Sequence, residues 1–140
     1  MTTLGHQQII ARTNLRPQDR FKNPKGYSLA VENDVYYCSF KIDAPKKSGI
    51  YQILINDQIV YVGRAKCLKN RLSQQYGNVS PRHPFNGGQI QKCRTNAKIN
   101  VAICQGDNVS FEWKVCIDYV EQEKRLLEDV SNRPPWNKRS

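Results

Sequence analysis

Two β-rich runs, Gly49-Ile-Tyr-Gln-Ile-Leu-Ile55 and Gln58-Ile-Val-Tyr-Val-Gly63, flank the turn dipeptide Asn56-Asp57, and this hairpin constrains the fold more than any other segment. Its register has a consequence for Tyr51 and Tyr61. A two-residue turn without irregularity would pair Gln52 with Tyr61 and send the two tyrosines to opposite faces of the sheet. A three-residue loop, or a bulge, would put both on one face. Tyrosine in an apolar strand ordinarily packs with its hydroxyl at the rim, so a shared role for the pair requires the odd register.

Around the hairpin the elements follow in a simple order. Residues 1–34 are polar, with Arg12, Arg16, Arg20, Lys22 and Lys25 among Pro17, Pro24 and Gly26, and read as an irregular arm with at most one short helix. Val35 to Ile42 alternates as a strand does, and Ala44-Pro45 breaks it. Ala65 to about Tyr76 has helical spacing, with Leu68 and Leu72 on one face. A loop, 78–88, leads to a second helix marked by Ile90, Cys93 and Ala97. Asn100–Cys104 and Val109–Ile117 read as two strands about Gly106-Asp107-Asn108, and a last helix is expected from about Asp118 to Val130. The expected fold is α/β of the α+β kind: a small, mainly antiparallel sheet flanked by helices. An arm over 1–45 would precede a domain over 46–140.

Charge narrows the partner. The chain has 140 residues and a formal charge of +10, and residues 58–106 hold eight bases and no acid. A basic block of this size suits a polyanion, because cations that neutralise phosphates release condensed counterions. One domain with one core fits the length. No apolar run approaches the roughly 18 residues that span a bilayer, and the polar start lacks a signal-peptide shape, so a soluble cytoplasmic protein is expected, with no membrane partner. Five cysteines without a C-x-x-C pair and only two histidines argue against disulfides and zinc.

The last helix holds an anomaly. Val120, Leu127 and Val130 would form an apolar stripe, widened by Tyr119 and Leu126, and Glu123 falls near its centre. An inward carboxylate needs a cation, a metal or hydrogen-bond donors. Two partners fit: an arginine of the basic segment in a structural pair, or a metal beside a phosphate site.

Ser48-Gly-Ile-Tyr51, Tyr61-Val-Gly63-Arg-Ala-Lys66, Arg71, Glu123-Lys-Arg-Leu-Leu127 and Pro134-Pro-Trp-Asn137 resemble, in order and context, the GIY-YIG nuclease family. The resemblance runs from about Ser48 to Asn137. The loop and second helix are also similar to small bacterial members close to the restriction endonucleases. It implies hydrolysis of DNA phosphodiesters with one divalent metal, magnesium or manganese. Glu123 would hold the metal, which polarises the scissile phosphate. Tyr51 would deprotonate or orient the attacking water, helped by Tyr61, and Arg71 would donate to the phosphate oxygens. Asn137 would brace the hairpin, while Arg64 and Lys66 would anchor the DNA backbone. Two features depart from the family pattern. The spacer between the tyrosine motifs is short, and Gln75 stands one helical turn after Arg71 where many members carry His or Tyr: either Tyr76 or His83 supplies the polar group, or none is needed, or activity is reduced. Gln75, Tyr76, Arg82 and His83 are further candidates for DNA contact, and Gly87, Gly88, Gln89, Arg94 and Asn96 for base contact, although Gln and Asn can equally cap helices.

Two functions follow from this pattern. One is a restriction-like endonuclease for foreign or mobile double-stranded DNA, for which a twofold homodimer would suit cutting both strands. The other is a nucleic-acid-binding module that keeps the fold with weakened chemistry, for which Gln75 speaks.

Overall fold

A computed structural model describes residues 4–9, 13–30, 36–79, 81–82, 84–85, 90–128 and 133–137. The hairpin forms as its composition demands, with strands β4 (Gly49–Ile55) and β5 (Gln58–Ala65). Asn56 and Asp57 both take positive φ, 49° and 66°, the pair of left-handed residues that closes a two-residue hairpin turn. Ile55 pairs with Gln58 and Leu54 with Ile59, but the register then shifts and Ile53 pairs with Tyr61. This one-residue bulge restores the odd register: Tyr51 lies across from Gly63, on the same face as Tyr61.

The arm is not irregular throughout. Its residues Leu4–Gln8 form β1, which pairs antiparallel with β6 (Val109–Val115), and the main sheet has the order β1-β6-β4-β5. β1 has few apolar residues because it is an outer strand; its outer edge is occupied where Gln7 bonds the Lys41 carbonyl and the Asp43 amide. Two further strands, β2 (Thr13–Leu15) and β3 (Tyr37–Ser39), pair as a small second sheet. The strand expected over 35–42 is therefore shorter, and Val35 lies outside the described residues.

Besides two 3-10 segments, Pro17–Arg20 in the arm and Pro135–Asn137, three longer helical elements complete the fold among the described residues. The first is a π-helix, Asn70–Tyr76, entered through Leu68; β5 runs on to Ala65, so the helix begins later than its spacing predicts. α1 (Ile90–Cys104) absorbs Asn100–Cys104, which had been expected as a strand. Alternation in that segment is overridden by one helical face: Cys93, Asn96, Ile99, Asn100 and Ala102 are all buried, and Ile103 packs on the core. The sheet therefore has one strand fewer than expected after the hairpin. α2 (Tyr119–Leu126) is shorter than expected and rotated. Val120 and Leu126 are each 48% exposed, whereas Tyr119, Gln122, Glu123 and Leu127 are the half-buried positions. Val130 lies outside the described residues. Among the described residues, no helix is long and apolar enough to cross a membrane.

The core joins one sheet face, with Tyr51, Ile53, Phe111 and Trp113, to Leu68, Leu72 and Tyr76 of the first helical segment and Ile99 of α1. Asn96 ties the elements together. Fully buried, its side chain accepts from the Cys38 amide (2.9 Å), donates to the Cys38 carbonyl (2.7 Å) and also donates to the Tyr76 carbonyl. Asn96→Ala strands these backbone groups and is expected to cost about 3 kcal/mol in urea denaturation. A loss under about 1 kcal/mol would contradict this bracing role.

Candidate active site

Three tyrosines meet over the bulged hairpin. Tyr51 and Tyr61 have ring centroids 6.1 Å apart, and Tyr76 meets the edge of Tyr51 at 5.9 Å. The hydroxyls of Tyr51 and Tyr76 are 2.7 Å apart, buried and hydrogen-bonded. Gly63 makes the arrangement sterically feasible, since a Cβ there would overlap the Tyr51 hydroxyl and ring. Burial, more than any neighbour, pushes the Tyr51 phenol well above its usual range, and Tyr76 shifts the same way. Both phenols therefore hold their protons near neutral pH, which favours orienting a water over abstracting its proton.

Arg71 is the centre of charge. Its guanidinium lies close enough to Tyr51, Tyr76 and Glu123 to favour the anionic form of each. Half-buried Glu123 keeps 20% of its side-chain surface exposed, against 55% for Glu121 and 70% for Arg125 on the same helix. Desolvation raises its pKa, partly offset by Arg64 and then Arg71. Arg64 Nε faces Glu123 Oε1 at 3.7 Å. The arginine pair left open by the sequence is thus formed, by the residue otherwise expected to grip DNA.

The metal reading is tested by the same carboxylate. Among the described residues no cluster of three or more His, Cys, Asp or Glu side chains could hold a metal, so any cation here would rest on Glu123 with waters and phosphate oxygens. A partly desolvated carboxylate with one long, half-exposed ion pair fits that duty, because a divalent cation offsets the desolvation far better than an arginine at 3.7 Å.

Asn137, in the 3-10 segment Pro135–Asn137, clamps β5 by bonding both backbone groups of Val62, at 2.7 and 2.9 Å. Lys66 is exposed just beyond β5, and Arg82 and Arg94 are exposed beyond the cluster. Gln75 is half-buried, with its Oε1 enclosed and unbonded among the described residues. Asn96, expected as a base-reading residue, is corrected to a buried structural one because its amide is spent on backbone partners. His83, Gly87, Gly88 and Gln89 lie outside the described residues.

Lys92, which its sequence context reads as a solvated surface charge, is less exposed than that. It is half-buried, and its pKa is lowered by desolvation and by the charge of Arg71. The signal was its position on α1, one turn before the buried Asn96, which turns it inward rather than to solvent.

The π-helix accounts for the departure at Gln75. In an α-helix the fourth residue after Arg71 completes a turn, but the wider π-turn brings round the fifth, Tyr76. The chain carries its aromatic hydroxyl one residue late, and the backbone takes up the difference.

No protein-family model matches the chain. Similarity to curated proteins is clear over the larger part of it. UvrABC system protein C of Fusobacterium nucleatum is 49% identical over 94 residues, which is 67% of this chain and 16% of that protein. The protein of the same name from Wolbachia sp. subsp. Brugia malayi is 32% identical over 97 residues, covering 67% and 13%. The chain therefore spans less than a fifth of the length of these relatives. Among solved structures, a point mutant of bacteriophage T4 EndoII is 21% identical and aligns over 87% of this chain and 99% of that one, at a TM-score of 0.48. With its five motifs in order and its 49% and 32% identity to UvrABC system protein C over 67% of the chain, the chain belongs to the GIY-YIG nuclease family.

Proposed function

We propose that the protein is an endonuclease that hydrolyses phosphodiester bonds in double-stranded DNA with one divalent cation, magnesium or manganese, held by Glu123. The observation that carries this reading is the Tyr51–Tyr61–Tyr76 cluster over the bulged hairpin, with the Tyr51 and Tyr76 hydroxyls 2.7 Å apart. A cation at Glu123 would supply Lewis-acid polarisation of the scissile phosphate and stabilise the departing 3′ oxygen. Arg71 then donates to the non-bridging oxygens as charge builds on them. Tyr51, kept protonated by its buried site and held by Tyr76, orients the attacking water. Lys92 adds a second cation beside Arg71, while Arg64 and Lys66 extend the phosphate track along β5. Action on foreign or mobile DNA, by a twofold dimer, fits a nuclease domain with an acid-free basic block over residues 58–106. The Tyr76 hydroxyl in the cluster removes the main reason for favouring a binding-only module.

Incubation with supercoiled plasmid and magnesium tests this reading. Relaxed circles are expected from the wild type and none from Arg71→Ala. Salt-sensitive DNA binding without nicking, under magnesium and manganese alike, would overturn it.

The π-helix gives a sharper test. Tyr76→Phe removes the hydroxyl that holds Tyr51 and is expected to slow cleavage about 100-fold, in the range of positioned acid–base groups. Deleting Gln75 lets the segment close as an α-helix with Tyr76 one turn after Arg71, so activity should stay within about tenfold of wild type. A deletion as impaired as Tyr76→Phe would contradict the compensation.

Acidification supplies another test. The raised pKa of Glu123 means that it takes up a proton at a higher pH than an ordinary glutamate, so metal loading and cleavage should fall earlier as pH drops. Proton and cation compete for the same oxygens, and tenfold more magnesium should move the acid limb about one pH unit lower. An acid limb indifferent to magnesium, measured in single-turnover cleavage, would separate it from Glu123.

A further inference from the structure

We propose that the arm segment 21–30 and the loop residues Pro81, Arg82, Pro84 and Phe85 form one preorganised basic platform that binds the phosphate backbone of duplex DNA beside the cleavage cluster. The choice of ligand rests on the nuclease reading; the platform itself rests on separate contacts.

Four interactions join the arm to the loop. The rings of Phe21 and Phe85 lie 4.8 Å apart. Leu29 bridges Phe85 as an isolated antiparallel pair, and the Ala30 amide donates to the Pro84 carbonyl at 2.9 Å. Arg82 stacks its guanidinium 5.3 Å from the centre of the Tyr27 ring. Pro84 is fully buried. A loop that departs from Tyr76, at the end of the π-helix, is thus held in place by a segment about 55 residues earlier in sequence.

The arm side is closed on itself as well. Asn23, at φ 52°, accepts from the Tyr27 amide through Oδ1 and donates through Nδ2 to the Tyr27 carbonyl, both at 2.7 Å. The Gly26 amide bonds the Asn23 carbonyl at 3.1 Å, with Gly26 itself at φ 68°. The resulting turn displays Lys22 and Lys25, both exposed. Little ordering entropy remains to be lost when such a turn meets a ligand.

Charge and geometry select the ligand. Residues 20–30 and 76–85 contain no Asp or Glu, while Arg20, Lys22, Lys25 and Arg82 are all exposed. Among the described residues the acid next to this stretch in sequence, Asp19, pairs with Arg16 at 3.3 Å; Glu32 and Asp34 lie outside the described residues. Cations spread over a rigid surface, with no carboxylates among them, match the repeated phosphates of a duplex. A guanidinium seated on an aromatic ring keeps its N–H edge free for a bidentate phosphate contact. Lys22 and Lys25 of the arm thereby acquire a place in DNA binding, and the loop that carries Arg82 leaves Tyr76 where Asn96 bonds its carbonyl.

Binding can be measured apart from cleavage. In a Glu123→Gln background without metal, anisotropy of a labelled duplex of about 30 base pairs is followed from roughly 50 to 300 mM salt. Combining Lys22→Gln, Lys25→Gln and Arg82→Gln is expected to reduce the slope of log affinity against log salt by about 3, and affinity near 0.1 M salt at least about tenfold. Tyr27→Ala keeps all the charges but unseats Arg82, and should remove about one unit of slope. Thermal melting of each variant checks that the three exposed changes and the half-buried Tyr27→Ala leave the fold intact. A triple variant with the parent's slope and affinity would overturn the platform. Failure of wild type to cut in magnesium, with the slope change intact, would overturn the nuclease reading instead.

Discussion

Glu123→Gln is expected to yield a folded protein that binds DNA and cleaves it at least about 1,000-fold more slowly than wild type. Glutamine keeps the volume and one acceptor oxygen but removes the charge, the property a divalent cation requires from a site with a single carboxylate. The fold should tolerate the change. Glu123 lies on a helix with no fully buried residue, and its ion pair with Arg64 is long and half-exposed, the kind of contact worth less than about 1 kcal/mol. Relief of a desolvated carboxylate can even offset that loss. Single-turnover cleavage and a thermal melt, measured on one preparation, check both halves. Wild-type rates from Glu123→Gln would remove the metal from this position.

Gly63→Ala is expected to damage both chemistry and stability, although alanine suits a strand better than glycine does. A Cβ at position 63 overlaps the Tyr51 hydroxyl and ring, and Tyr51 is itself buried in the core against Tyr76. The phenol must move or the hairpin strands β4 and β5 must separate. Overpacking of this kind costs about 1–3 kcal/mol. A displacement near 1 Å at the water-orienting group slows reaction about 100-fold. Urea denaturation alongside plasmid nicking measures the pair of effects. An active, fully stable Gly63→Ala protein would show that Tyr51 need not sit over that glycine.

The hairpin and its tyrosines were legible in the sequence because strand alternation converts register directly into facing. Two tyrosines serving one site on strands joined by a two-residue turn require a bulge, and the bulge is present between Ile53 and Leu54. Asn137 was legible only through its motif, since nothing in a Pro-Pro-Trp-Asn run states that its amide will straddle Val62. Glu123 was recognised as inward, but the stripe around it was misplaced by one position: the half-buried residues are Tyr119, Gln122, Glu123 and Leu127. A helix of eight residues at the sheet's margin buries a narrow face, so apolar Val120 can remain in solvent. Alternation also misled at Asn100–Cys104, where two buried asparagines make the inner face of α1 look polar.

The arm and the π-helix depended on partners distant in sequence. β1 has no hydrophobic signature of its own and is ordered by β6, more than 100 residues away. The role of Tyr76 could not be read from α-helical spacing because the backbone there is wound more widely. Both cases show local propensity yielding to tertiary contacts.

The central claim is that one cation, held by Glu123 beside Arg71 and the tyrosine cluster, drives DNA cleavage. Its most direct test is the single-turnover rate of duplex cleavage as manganese is raised from zero, with EDTA as the baseline, for wild type and Glu123→Gln. The account predicts no cleavage in EDTA, a rate that saturates along a single-site curve for wild type, and no saturable rise for Glu123→Gln. Cleavage in EDTA, or a wild-type curve from Glu123→Gln, would contradict it.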